Sequence, residues 1–303
     1  MVLDTRFTSG ISLDINKAIM KEKGLTSIPD IFDLRPQAHD IIRTRLLYTV
    51  VQSHYAREKK PFKHIMISGH VLAGKNEKIS KSKGNAKLGP KELLAQYGAD
   101  SVRYWAASGQ LGKDMVFEET ELKNGQRLIT KLWNACQFVK IHIETANTQE
   151  LNIEDLYSSD QWILSRLNET VAKVTKAYNN YEVGLAKIAF EEFFWHDFCD
   201  NYLELIKNRL YKPELYDNGE ALKASAQYTL SKCFWTILRL VAPIIPHVTE
   251  ELYQDIFKTQ YRYQSLHLVD MPTAIESNTI HISEIITLIS DVRGYKTSHK
   301  LSL

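Results

Sequence analysis

Lys78-Ile79-Ser80-Lys81-Ser82-Lys83-Gly84-Asn85 is the stretch on which the reading of this chain turns. Three lysines within six residues, spaced by small hydroxyl residues and followed by glycine, make a flexible cationic loop. A loop of this kind is able to fold over a triphosphate, its ammonium groups meeting the charge that develops on phosphate oxygens. Ser80 and Ser82 add hydroxyl donors. By composition alone, a charged surface loop is the more common explanation. The loop sits in a basic neighbourhood: ten Lys and Arg lie between Arg57 and Lys91, opposed only by Glu58 and Glu77. Residues 1–118 carry 19 basic against 12 acidic side chains and the remainder 19 against 24, so a net charge of +2 hides two oppositely charged parts. A local excess of this size draws phosphates or nucleic acid, unless it is merely a solvated face.

Outward from the loop, the N-terminal side mixes short β-like runs with helical ones. His64-Ile65-Met66-Ile67-Ser68-Gly69 reads as a buried strand ending at a glycine. Asp40 to Ser53 spaces Ile41, Leu46 or Leu47 and Val50 as a helix does, although Val50-Val51 could instead close a second extended element. Gly74 to Gly89 has no hydrophobic period and reads as a mobile loop. Gly89-Pro90 then opens a helix through Leu93, Leu94 and Tyr97. Strands alternating with helices predict part of a parallel α/β sheet.

From Glu119 the pattern changes to long amphipathic helices. Leu122, Ile129, Leu132, Trp133, Cys136 and Val139 follow three-four spacing, as do Leu164, Leu167, Val171, Val174 and Tyr178. Polar residues 144–160 form the best linker. Leu185–Leu210, Leu230–Leu240, His247–Phe257 and Ile282–Arg293 predict further helices, interrupted at Pro243 and Pro246. The division expected is 1–143, a linker at 144–160, and an all-α helical bundle at 161–303.

Composition narrows the class. The chain has 303 residues, 44% hydrophobic and 24% charged, the balance of a globular protein with a real core rather than a disordered or low-complexity one. No apolar run approaches the ~18–20 residues of a membrane span. Asp4 and Arg6 interrupt any signal core. Cys136, Cys199 and Cys233 are widely spaced without a CxxC, which argues against a disulfide framework or a zinc site. The expectation is a cytoplasmic, reduced protein with no protein-bound metal and no membrane contact.

In order as well as composition, Lys78 to Ser82 resembles the KMSKS signature of class I aminoacyl-tRNA synthetases, with Ile79 at the methionine position. Further blocks resemble the valine-specific branch of that family, in collinear order: Asp4 to Ser9, Arg35 to Thr44 and Tyr97 to Tyr104. Phe193-Phe194-Trp195-His196-Asp197-Phe198-Cys199-Asp200 with Tyr202-Leu203-Glu204 resembles its anticodon-binding helix. Ala242 to His247 with Thr249 to Leu252 resembles a block shared with the isoleucine and leucine enzymes.

The resemblance implies a partial Rossmann-like α/β catalytic half followed by an α-helical anticodon-binding domain. It implies ligation of valine to its tRNA through a valyl-adenylate, with ATP arriving as its Mg2+ complex. Lys81 would contact ATP phosphates, supported by Lys78, with Ser80 and Ser82 beside them. His39 and Gln37 would lie near the adenylate, Asp40 would hold the valine ammonium group, and Ile41 would line the side-chain pocket. Read from the residues, His39 is also compatible with a satisfied buried histidine and Asp40 with a helix cap or surface acid. Trp195 and Tyr202 would face tRNA, as would Trp235 and Tyr253, if they stack on unpaired bases rather than fill the core. Lys207, Arg209 and Lys212 offer the local basic face.

Two departures accompany the resemblance. Arg6 and Arg45 stand where the family usually places pocket tryptophans, which puts cations beside the substrate ammonium and demands burial of guanidinium groups. Valine activation is therefore expected to be strongly impaired. The HIGH signature of the first catalytic half has no counterpart, since no HxGH occurs in the chain. The chain is expected to be an internal piece of such an enzyme, lacking the editing insertion and inactive without the missing N-terminal half. The alternatives are a non-catalytic tRNA-binding module and a nonfunctional remnant.

Overall fold

Two parallel strands, β1 (Phe32–Ala38) and β2 (Phe62–Ser68), are the frame of the N-terminal unit. Phe32 lies opposite Phe62 and Ala38 opposite Ser68. Pro36 is tolerated in β1 because, among the described residues, that strand is paired on one side only. The crossover between the strands follows α1 (Ser12–Glu22) in sequence. It runs through a 3-10 turn at His39–Ile41, a π turn at Ile42–Leu46 and then α2 (Leu47–Arg57). The helical reading of residues 40–53 therefore holds, and Val50-Val51 close no strand. Glu58 ends α2 in the left-handed region, φ 56°, where its backbone N–H donates to the His54 carbonyl.

The computed structural model describes residues 5–74, 77–79, 84, 89–144, 151–275 and 282–299, with the side chains of Arg6, Lys78, Ser283 and Ser290 excepted. Most of the expected loop at 74–89 lies outside these residues. At its start, β3 (Val71–Gly74) pairs antiparallel with β4 (Glu77–Lys78) and parallel with β5 (Met115–Val116). The expectation of a buried strand at 64–69 is corrected. Apart from a single bridge between Ser68 and Leu111 at its end, β2 is paired only with β1 among the described residues, which leaves Ile65 44% exposed. Gly69 follows β2 where a Cβ would sit 2.0 Å from the Lys113 carbonyl oxygen, so only glycine lets the two backbones approach.

Residues 1–89 with 109–118 form one unit, and residues 90–108 with 119–303 form the other. The second unit is helical. Its elements are α3 (Pro90–Tyr97), α4 (Ala99–Ala106), α5 (Glu119–Ile143), α6 (Ser158–Asn179) and α7 (Val183–Glu192). A π-helical stretch (Phe193–Tyr202) leads into α8 (Leu203–Tyr211), followed by α9 (Gly219–Val241), α10 (Pro246–Ile256) and α11 (Ser283–Ser298).

Leu122, Leu128, Leu132, Cys136 and Val139 line the buried face of α5, the three-four spacing expected of a helix packed on a core. Gly125 lets α4 lie close against α5, since a Cβ there would meet Ser101 Cα at 3.1 Å. Asp100 on α4 caps α10: its carboxylate accepts from the His247 and Val248 backbone N–H groups at 3.2 and 2.7 Å. Arg103 donates to the Ile244 and Pro243 carbonyls at 3.0 and 2.8 Å, which fixes the turn between α9 and α10. Residues 145–150 of the expected linker lie outside the described residues. Its C-terminal end is core rather than linker, because Leu156 and Asp160 are 4% and 0% exposed.

Candidate functional site

In the first unit, several residues singled out from the sequence gather at the carboxyl ends of β1 and β2. Ligands of open α/β sheets bind beyond such strand ends. Gln37, the penultimate residue of β1, is buried, and its carbonyl accepts from the Ser68 hydroxyl at 3.3 Å. His39, in the turn after β1, meets His70, two residues after β2, edge to face with ring centroids 4.4 Å apart. His70 Nε2 also lies 3.9 Å from Asp40 Oδ2. A third segment fixes His70. Its backbone N–H donates to Asp114 Oδ1 at 2.7 Å, and its carbonyl accepts from the Met115 N–H at 2.9 Å. Asp40 keeps nearly half its side chain in solvent, and Ile41 is half-buried.

Gln37, His39 and Asp40, singled out from the sequence, thus stand at the strand ends as a group. His70 and Asp114 escaped sequence reading, because their contact spans 44 positions and no local pattern announces it. Arg45, in the π turn, is half-buried, and its Nε has no hydrogen-bond partner among the described residues. Lys78 ends β4, and so begins the cationic stretch on a strand. Ser80, Lys81, Ser82 and the side chains of Arg6 and Lys78 lie outside the described residues.

In the second unit, one face of α5 carries Lys123, Arg127 and Lys131 at successive four-residue intervals. Lys123 is paired with Glu119 at 3.1 Å, while Arg127 and Lys131 have no ion pair among the described residues. Trp195, in the π-helical stretch, is half-buried at the junction of two grooves of about 650 Å³ each. Arg127 lines both of them, and Lys131 lies 6.0 Å above the Trp195 ring. Extra-wide π turns recur at functional sites because they re-aim side chains. Here Phe193, Phe194 and Phe198 turn inward while Trp195 and His196 reach the groove.

The floor of the first groove is a charged network. Lys187, 6% exposed, donates to Ser108 Oγ at 2.8 Å and to Glu121 Oε2 at 3.2 Å, and its ammonium lies 3.9 Å above the Tyr104 ring. Burial holds the Lys187 ammonium below the usual lysine range. Burial also pushes the neighbouring Glu191 carboxyl up to about 7.

Two expected RNA contacts are corrected. Tyr202 is 0% exposed and donates its hydroxyl to Asp160 at 2.9 Å, so it fills the core and offers no face to a base. Arg209 is 3% exposed and bonded bidentately to Asp160, with Tyr157 stacked 4.7 Å from its guanidinium, so its charge is spent inside the bundle. Trp235 and Tyr253 are core residues as well. Lys207 is exposed but closed onto Glu204 at 2.6 Å. Among the described residues, no group of three or more His, Cys, Asp or Glu is placed to hold a metal, and no helix is long and apolar enough to cross a membrane.

Comparison with known proteins divides the chain at the same change of pattern. The family of tRNA synthetases class I (I, L, M and V) matches residues 1–118, and the anticodon-binding domain of tRNA ligase matches residues 160–303. The valine–tRNA ligase of Ehrlichia ruminantium (strain Welgevonden) is 40% identical over 309 residues, covering 100% of this chain and 37% of that protein. That of Rickettsia prowazekii (strain Madrid E) is 39% identical over 315 residues, covering 98% of this chain and 36% of that protein. The chain therefore spans a little over a third of the length of these relatives. In fold it is similar to the LeuRS (agnB2) of Agrobacterium radiobacter K84, solved in a ternary complex with tRNA and LeuAMS. The TM-score is 0.61 at 17% identity, covering 87% of this chain and 35% of that one. Collinear synthetase and anticodon-binding matches, carried on an α/β unit and a helical bundle, establish that the chain belongs to the class I tRNA synthetases of the I, L, M and V group.

Proposed function

We propose that this chain serves valine–tRNA ligation, in which ATP activates valine as its adenylate and the acyl group passes to the terminal ribose of the tRNA. The observation that carries this reading is the convergence of Gln37, His39, Asp40 and His70 at the carboxyl ends of two parallel strands. β4 follows in sequence and leads into the cationic segment. In this arrangement Asp40 accepts the valine ammonium group, with Ile41 beside the side chain. His39 and Gln37 face the adenylate. Lys78 and Lys81 meet the triphosphate, with Ser80 and Ser82 as donors, and Mg2+ enters with ATP rather than through protein ligands. The RNA contact belongs to the α5 face of Lys123, Arg127 and Lys131 with Trp195, where cations and a half-buried aromatic ring line one groove. A cytoplasmic location accompanies this reading.

Arg6 and Arg45, standing by resemblance at positions where the family usually has pocket tryptophans, would oppose activation, and the proposed reaction further needs a HIGH-bearing segment supplied to this chain. The second reading, a tRNA-binding module without catalysis, draws its support from Arg45, whose buried Nε has no hydrogen-bond partner among the described residues.

Fluorescence anisotropy of valine tRNA on the purified chain across a salt series, with a changed-anticodon tRNA as control, tests the RNA half. Valine-dependent ATP–pyrophosphate exchange, with the HIGH-bearing segment added, tests the catalytic half. Weaker binding of the changed tRNA together with exchange supports the ligase. The same discrimination without exchange, even after Arg6→Trp and Arg45→Trp together, favours the binding module. Equal binding of both RNAs, lost at moderate salt, overturns both.

A further inference from the structure

Helix α11 of the second unit meets the bundle with one side and solvent with another. Ile286, with Ile282 just before the helix, packs on the core, and Arg293 donates to the Asp200 carbonyl at 2.7 Å. These contacts anchor the helix. Beside the anchored face runs a second apolar row: Ile285, Leu288, Val292 and Tyr295, each 47–63% exposed, at spacings of three, four and three residues. That is the a and d spacing of a two-stranded coiled coil, which lays one seam along a helix. Leu288 and Val292 also help to line a groove of about 940 Å³ against the π-helical stretch. Single apolar side chains at a surface need no explanation, but a contiguous row does.

The charges beside the row identify what covers it. With Ile285 and Val292 at a, and Leu288 and Tyr295 at d, Asp291 falls at a g position and Lys296 at the e position five residues on. In a parallel pair of helices, g of one strand faces e of the next heptad in the other. Asp291 of one copy therefore faces Lys296 of a second copy, and two-fold symmetry repeats the pair. Neither side chain has an ion pair among the described residues. One helix supplies both halves of the match, so the partner that fits is another copy of itself. We propose that the Ile285–Leu288–Val292–Tyr295 face of α11 is a self-association surface, on which two copies of this chain pair their α11 helices in parallel. The helix is already formed and anchored, so pairing carries no folding cost. A seam of about two heptads is smaller than a standard interface, which makes the dimer weak, with a dissociation constant on the order of tens of micromolar. The surface includes no residue of the strand-end cluster or of the cationic α5 face, so it stands whether or not the chain ligates valine.

The test is analytical ultracentrifugation of the 303-residue chain from about 1 to about 300 μM at physiological salt, a range that brackets association of this strength. The mass should rise with concentration from one chain toward two. Leu288→Glu should leave a monomer throughout, and because Leu288 is exposed the change spares the core. Asp291→Lys and Lys296→Asp each bring like charges together in both symmetric pairs, and each should weaken the dimer about fivefold or more. Both changes in one chain restore opposite signs and should recover the dimer. A monomer at the highest concentration overturns the proposal. So does a dimer that persists in Leu288→Glu, because it forms on another face, and so does a double swap that pairs no better than the single reversals. Assembly beyond two copies also overturns it, since a parallel pair is closed. Urea midpoints of the variants at low concentration should match wild type. A Leu288→Glu chain that fails to fold would show that this face is covered within the chain itself and would overturn the proposal as well.

Discussion

Arg209 and Asp160 meet fork to fork across 49 positions, Nη1 to Oδ2 at 2.8 Å and Nη2 to Oδ1 at 2.7 Å, and neither side chain reaches water. Tyr202 and Ser225 donate to the same carboxylate and complete its acceptor sites. Arg209→Met leaves that carboxylate buried without its counter-charge. The expected loss is about 3–5 kcal/mol in urea unfolding, with part of it recovered by Asp160→Asn in the same chain. If the buried pair is a staple and not an RNA contact, the folded fraction of Arg209→Met should bind tRNA as wild type does.

The RNA face makes a different demand. Trp195→Ala should weaken tRNA binding by about 1–3 kcal/mol, the range of one base–aromatic stack. Arg127→Gln and Lys131→Gln should each lower affinity and reduce the slope of log affinity against log salt by roughly one counterion. Lys207→Gln serves as the contrast. Its ammonium is already closed onto Glu204, so anisotropy should detect little change. An unchanged salt slope for both α5 variants would remove that face from the RNA contact.

Glu191 makes the helical unit sensitive to pH. Burial raises its folded carboxyl to about 7 from an ordinary 4.5. Between those values the folded chain binds more proton than the unfolded chain does, so this group's contribution to stability is present at low pH and is lost as pH rises through about 7. Urea midpoints at pH 5 and pH 8 should show a decline in wild type that Glu191→Gln reduces. An identical decline in both would assign it to other groups.

Gly69 tests the frame of the strand-end cluster. Ala at this position places a methyl group 2.0 Å from the Lys113 carbonyl oxygen, and neither backbone can yield without disturbing the His70–Asp114 bond. Gly69→Ala should destabilise the chain by about 1–3 kcal/mol, the scale of overpacking. Ligand binding at Asp40 should weaken with it, because His70 moves away from Asp40.

Much of the architecture was legible because it is written in local periodicity. The three-four spacing of Leu122 to Val139 predicts α5, and its buried face uses those residues. Pro243 and Pro246 break the helices where the structure turns between α9 and α10. Ile65 was misread for the complementary reason. A run of apolar residues specifies a strand but not what covers it, and in this sheet Ile65 is left 44% exposed. The site was only partly visible. Gln37, His39 and Asp40 stand consecutively enough to form a motif. His70 and Asp114 enter through a glycine contact and a backbone hydrogen bond, neither of which has a sequence period.

By itself the sequence determined the change of regime near residue 119, the helices and their buried stripes, the cationic stretch and the family order of the motifs. These depend on spacing along the chain, and local sterics and hydrophobic patterning suffice to express them. Tertiary structure decided which charges face inward. Arg209 and Lys207 are two positions apart in the same helix, and nothing local separates them. Arg209 points to a buried carboxylate 49 residues away, while Lys207 points to solvent and Glu204. A charge in the interior is stable only where a distant partner compensates for its lost hydration. Folding brings that partner to Arg209, whereas Arg35 and Arg45 meet no carboxylate among the described residues.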